Sequence, residues 1–218
     1  MFAIKTIIFD FGDVFINLDK LATPRNFKRL GIPENYKIEM HDTLLDYERG
    51  LITTKDFLVN FNKRFPNISS QQVINAWNSI ILDFPEHRLE FIENLALKNK
   101  YKLLLLSNTN DLHIQQVIKN MGHARYIRFK NCFDKFYLSQ QIHLTKPANS
   151  IYEFVLQSNN LQADECLFID DLKENIPFFI QATNQFEDPL RFNMAYATVN
   201  ILSSHWSKHT FSVHYPLN

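Results

Sequence analysis

The chain has 218 residues, 45% hydrophobic and 21% charged, and its 23 Lys+Arg balance 23 Asp+Glu to a formal net charge of zero. That balance excludes nucleic-acid or anionic-membrane binding driven by bulk charge, leaving only a local patch as an electrostatic route to either. Two cysteines, Cys132 and Cys166, cannot build a disulfide framework, and no apolar stretch is long enough to span a bilayer. The first apolar run is broken by Asp10, so no leader segment is read there, and a cytoplasmic location is expected.

Lys5 to Phe9 reads as a buried strand ending at Asp10. The pattern then turns helical to about Leu97. Thr23-Pro24 suits a helix start, and Gly50 suits a position just past a helix end. Thr53-Thr54 precedes Phe57, Leu58 and Phe61 at helical spacing, and Ser69-Ser70 precedes Val73, Ile74, Trp77 and Ile81. Pro85 opens a further helix with Leu89, Ile92 and Leu95 on one face. Phe57, Phe61, Trp77 and Phe91 read as the core of this helical bundle.

Strands and helices alternate after that. Lys102 to Leu106 is a second buried strand ending in Ser107-Asn108-Thr109-Asn110, and a helix from about Asp111 to Met121 stops at Gly122. Phe136 to Leu138 is a short third strand. Thr145-Lys146-Pro147 leads into a helix with Ile151, Phe154 and Val155 on one face, and Cys166 to Ile169 is a fourth strand running into Asp170-Asp171. Such alternation predicts an α/β fold with a doubly wound parallel sheet. The length allows a core, residues 1–16 and 98–218, with a helical insert over 17–97.

Open α/β sheets keep their chemistry beyond the C-terminal strand ends, where Asp10, Ser107 and Asp170-Asp171 are expected. Phosphoryl transfer needs a nucleophile, a divalent cation and fixed donors for the phosphoryl oxygens. Asp10 can be the nucleophile. Asp10 and Asp171 can hold Mg²⁺ together, with the Gly12 carbonyl as a further oxygen. Ser107 and Asn108 can donate to the phosphoryl group, and Lys146 supplies a compact positive charge.

Asp10-x-Gly12-x-Val14, Ser107-Asn108, Lys146-Pro147 and Asp170-Asp171 resemble, in this order, the four motifs of the haloacid dehalogenase (HAD) superfamily. Leu106 to Asn110 and Tyr137 to Gln140 are similar to the branch that includes bacterial alpha-glucose-1-phosphate phosphatase. The resemblance implies a Rossmann-like core with an inserted cap and a Mg²⁺-dependent phosphatase of a small phosphorylated metabolite. Asp10 would attack phosphorus. Ser107, Asn108 and Lys146 would bind the phosphoryl group, and Asp10, Gly12, Asp171 and Asp170 would bind the metal. A monomer or homodimer acting on a small molecule is expected. The alternatives are a 2-haloacid dehalogenase-type hydrolase and a weak or inactive binding protein of the same fold.

Two departures stand out. Gly12 occupies the position where most superfamily phosphatases carry a second Asp, the acid for the leaving alcohol. General acid help is worth roughly a hundred- to ten-thousand-fold, so its loss favours easy leaving groups such as the anomeric oxygen of a sugar 1-phosphate. From about Pro177 the sequence departs from the resemblance, through lineage divergence or an altered reading frame. His205, His209 and His214 lie in that tail; without a Cys or Glu beside them they read as surface histidines rather than a zinc site.

Overall fold

A computed structural model describes residues 4–172 and 174–175. The tail from 176 on, with its expected strand and its histidines, lies outside the described residues. Four strands, β1 (Thr6–Phe9), β2 (Lys102–Ser107), β3 (Lys135–Leu138) and β4 (Cys166–Ile169), form one parallel sheet in the order β3-β2-β1-β4. The doubly wound parallel sheet expected from the sequence is therefore present.

The apolar runs are two-sided, as a sheet covered on both faces requires. Ile7 and Phe9 of β1, Leu103 and Leu105 of β2 and Ile169 of β4 pack into one cluster. Ile8, Leu104, Leu106, Cys166 and Phe168 pack into another. Helices α6 (Glu86–Leu97), α7 (Asp111–Met121) and α8 (His123–Lys130) contribute to the first cluster, and α10 (Asn149–Asn159) to the second. Phe11 and Phe15 follow Asp10 and sit among Phe84, Phe129 and Phe136; Phe11 stacks on Phe129 at 5.2 Å. Each such pair contributes about 0.5–1.5 kcal/mol beyond its buried area, which pins the loop that carries the strand-end carboxylate.

Between β1 and β2 lie α1 (Ala22–Arg29), α2 (Tyr36–Glu39), α3 (His41–Glu48), α4 (Thr54–Arg64) and α5 (Ser70–Asn78), which share a separate core of Phe27, Tyr36, Tyr47, Phe57, Phe61 and Val73. Thr53 and Ser69 each form a capping box, with Asp56 and Gln72. The expected start at Thr23-Pro24 is displaced: α1 begins at Ala22, and the Thr23 hydroxyl donates to the Trp77 carbonyl at 3.0 Å instead of capping. Phe91 also differs from expectation, because α6 packs on the sheet cluster and not with α1–α5. A four-residue turn, α9 (Ser139–Ile142), follows β3 directly.

Candidate active site

Three loops meet beyond the C-terminal ends of β1, β2 and β4. Asp10 follows β1, and its N–H is still bonded to the Ile169 carbonyl (2.8 Å), so the strand ladder places it beside Asp170. Lys146 reaches in from the loop before α10 and donates to Asp10 Oδ1 at 2.7 Å and to Asp170 Oδ2 at 2.6 Å, with only 2% of its side chain exposed. The Lys146–Pro147 peptide is cis. Asn108, just past β2, holds that loop in place: its Nδ2 donates to the Lys146 carbonyl (2.8 Å), and its Oδ1 accepts the Lys146 N–H (2.9 Å). Ser107 is buried at the end of β2, its hydroxyl 3.4 Å from the Asn108 carbonyl.

Asp170, Asp171 and Gly12 are each held by contacts of their own. Asp170 Oδ1 also accepts the Leu172 N–H, and the Asn175 amide donates to both Asp170 oxygens at 2.8 Å. Asp171 is half-buried and pairs with Lys20 at 2.5 Å, while Lys20 also contacts Asp13 at 2.9 Å. Asp10, Asp170 and Asp171 each offer an oxygen within 4.8 Å of the others. An all-oxygen, anionic set of this kind suits a hard divalent cation such as Mg²⁺. The Gly12 carbonyl accepts the Val14 N–H at 2.6 Å and keeps its second lone pair.

The charges explain the protonation tendencies. Burial pushes the Asp10 carboxyl up; Lys146 pulls it back, and the Asp170 charge pushes it up again. Burial would lower Lys146, but the two carboxylates outweigh it and hold the ammonium charged. A cation bound among the three carboxylates would act in the same direction as Lys146, keeping Asp10 ionised.

At Gly12 the end of the Leu18 side chain comes close. A Cβ at residue 12 would lie 2.8 Å from Leu18 Cδ1 and 3.8 Å from Asp10 Oδ2. Leu18 thus covers the place from which an acid would reach the site. Asp13 does not take over that role: its φ is +51°, and its carboxylate binds the Leu18 N–H (3.0 Å) and Lys20. Sequence reasoning gave no role to Lys20, or to Ser139, whose hydroxyl accepts the Thr109 N–H at 2.9 Å. Neither carries a local signal, since each acts through a residue distant in sequence.

The haloacid dehalogenase-like hydrolase family matches residues 4–183, a few residues past Pro177, where the sequence alone placed the end of the resemblance. D-ribitol-5-phosphate phosphatase of Bacteroides thetaiotaomicron is 28% identical over 178 residues, covering 79% of this chain and 85% of that protein. A HAD family enzyme of Bacteroides thetaiotaomicron, solved as a magnesium complex, is 33% identical at a TM-score of 0.73, covering 83% of this chain and 90% of that one. A HAD-like family hydrolase of Porphyromonas gingivalis is 28% identical at a TM-score of 0.67, covering 83% and 88%. With four motifs in order, a parallel sheet that brings them together and a family match over most of its length, the chain belongs to the haloacid dehalogenase-like hydrolases.

Proposed function

We propose that the protein is a Mg²⁺-dependent phosphatase of a small phosphorylated polyol or sugar, working through an aspartyl-phosphate on Asp10. The observation that carries this reading is the set of three carboxylates gathered beside one buried lysine at the strand ends. A metal-free displacement at carbon gains little from so much negative charge, whereas a cation that neutralises a phosphoryl group needs it. Mg²⁺ bound there would draw charge from the phosphoryl oxygens and lower the barrier to attack. Asp10, Asp170 and Asp171 would hold it, with the Gly12 carbonyl as a further oxygen.

The chain's own residues do the rest. The Asp10 carboxylate attacks phosphorus and is later freed by water. Lys146 keeps Asp10 ionised and aimed. Ser107 and the backbone N–H groups after β2 donate to the phosphoryl oxygens, while the Asn108 amide positions Lys146. Helices α1–α5 act as the cap that limits substrate size. The relative that acts on D-ribitol 5-phosphate supports a polyol ester, and Gly12 supports a sugar 1-phosphate as the second candidate. A monomer or homodimer in the cytoplasm fits a metabolite phosphatase; no helix among the described residues is long and apolar enough to cross a membrane.

The test is phosphate release from a panel of phosphorylated polyols and sugars. Release is expected with Mg²⁺, is abolished by EDTA, and falls roughly a thousand-fold or more in Asp10→Asn. Release that survives either change overturns the reading. Chloride release from a 2-chloroacid without metal would favour the dehalogenase.

A further inference from the structure

Gly12 leaves the departing oxygen of a phosphate ester without an acid from the β1 loop, and Leu18 fills the space beside it. In-line displacement puts that oxygen opposite the attacking Asp10 carboxylate. The helical segment that meets the core beside the Lys146 loop is the end of α3, and it is tied down residue by residue. The Tyr47 hydroxyl accepts the Leu112 N–H at 3.2 Å, at the start of α7. The Glu48 carbonyl accepts from Ser139 Oγ at 2.7 Å. Arg49 Nε donates to Thr145 Oγ1 at 3.4 Å, next to Lys146, and the Arg49 carbonyl lies 2.8 Å from His143 Nδ1.

Gly50 makes the close approach feasible. Its φ is +65°, and a Cβ there would stand 2.0 Å from the Gln140 carbonyl oxygen. Residues 47–49 are thus fixed against the start of α7, against α9 and against the loop that carries Lys146. On this frame the Glu48 carboxyl makes no hydrogen bond or ion pair among the described residues. Burial pushes it up from the ordinary carboxylate range, and Lys146 and Arg49 are the charges that act against that. A half-buried carboxyl with no hydrogen bond among the described residues, on a segment tied beside Lys146 and near enough to feel its charge, has the character of a proton donor.

We propose that Glu48 protonates the leaving alcohol, supplying from the cap what Gly12 does not supply from the β1 loop. The inference rests on the phosphatase reading and deepens it. As the bond from Asp10 to phosphorus forms, the ester P–O bond breaks and its electron pair stays on the alkyl oxygen. The Glu48 proton passes to that oxygen, and the alcohol departs. Water then attacks the aspartyl-phosphate, its proton goes to the Glu48 carboxylate, and phosphate and the Asp10 carboxylate are regenerated. Esters of ordinary primary alcohols, such as open-chain polyol phosphates, then lie within reach alongside anomeric ones.

Leaving-group dependence tests this in single turnovers with Mg²⁺ and enzyme in excess, so that only ester cleavage is read. The two probes are p-nitrophenyl phosphate, whose phenolate leaves unaided, and the primary alkyl phosphate that the wild type cleaves fastest. Glu48→Gln is expected to slow alkyl cleavage about a hundred-fold or more, leaving p-nitrophenolate release within about threefold and inhibition by inorganic phosphate unchanged. Equal slowing of both esters, or no slowing of either, overturns the proposal. If Glu48→Gln does not fold, Glu48→Asp is used and must show the same split between the esters. Failure of the wild type on both esters overturns the phosphatase reading itself.

Discussion

The helical layer α1–α5 and the sheet layer bury their aromatic rings in different ways. In α1–α5 the rings of Phe27, Tyr47, Phe57 and Phe61 come from neighbouring helices, with Tyr47 stacked on Phe57 at 4.2 Å. Two capping boxes start α4 and α5 from within their own sequence. In the sheet, β1 has no local partner at all: it pairs Thr6 with Lys102 on one side and with Cys166 on the other. A layer made of local contacts can open on its own, whereas a layer made of distant strands holds or fails together. The candidate site lies on the seam, with Asp10, Lys146 and Asp170 on the sheet side and Glu48 on the helical side, tied across it through its carbonyl and Ser139. The division of the chain at 17–97 remains a proposal. The packing supports counting α6 with the sheet, since Leu89, Ile92 and Leu95 belong to its core.

The sharpest way to break this contrast is to cut a cavity on each side. Phe57→Ala should cost about 3–5 kcal/mol and Leu104→Ala about 2–5 kcal/mol. Hydrogen exchange should show the first loss confined to amides of α1, α3, α4 and α5, and the second spread over β1, β2 and β4. Equal spreading in both variants would show one cooperative unit in place of two.

A smaller effect comes from His113, which bridges the layers. Its ring stacks on Trp77 of the cap at 5.3 Å, Nε2 lies 3.3 Å from the Trp77 carbonyl, and Nδ1 lies 3.1 Å from the Asn110 amide nitrogen. The Asn110 oxygen accepts the His113 N–H, which fixes the amide so that it donates to a neutral imidazole. Burial lowers the ring to about 4, against 6.5 for an ordinary histidine. The unfolded chain therefore takes up this proton first as pH falls. Stability from this group is whole above about 6.5, is lost between there and about 4, and amounts to on the order of 3 kcal/mol. Urea titrations across that range should show the loss in the wild type and lack most of it in His113→Gln.

Gly50→Ala sharpens the seam itself. The left-handed backbone and the close Gln140 carbonyl should cost about 1–3 kcal/mol. Alkyl phosphate cleavage should fall more than p-nitrophenyl phosphate cleavage, because Glu48 shifts while Asp10 does not. A melting-temperature change with no such split would separate Gly50 from catalysis.

What the sequence made legible was local or strictly ordered. Thr53, Ser69, Gly50 and Gly122 announced their helix ends through side chain or backbone chemistry. The apolar strand runs marked where the carboxylates would stand. Helix α8 escaped notice because it starts at His123 directly after Gly122, so that the stop of one helix hid the start of the next. The same holds for Phe91, whose helical spacing says that it is buried but not in which of two cores. Lys20 and Ser139 were harder still, since their meaning depends on Asp171 and Thr109, each far along the chain.

The span between Asp10 and Lys146 also has a consequence during synthesis. These two residues are 136 positions apart, and at about 5–20 residues per second the ribosome needs roughly seven to twenty-seven seconds to deliver the second after the first. Throughout that interval Ile7, Ile8 and Phe9 wait as an apolar strand with at least one unpaired edge. The helical layer, complete long before and built from local contacts, can fold early. A chaperone that shields the first ten residues until β4 emerges should therefore raise the yield of folded protein, and a stall before residue 166 should expose an aggregation-prone edge.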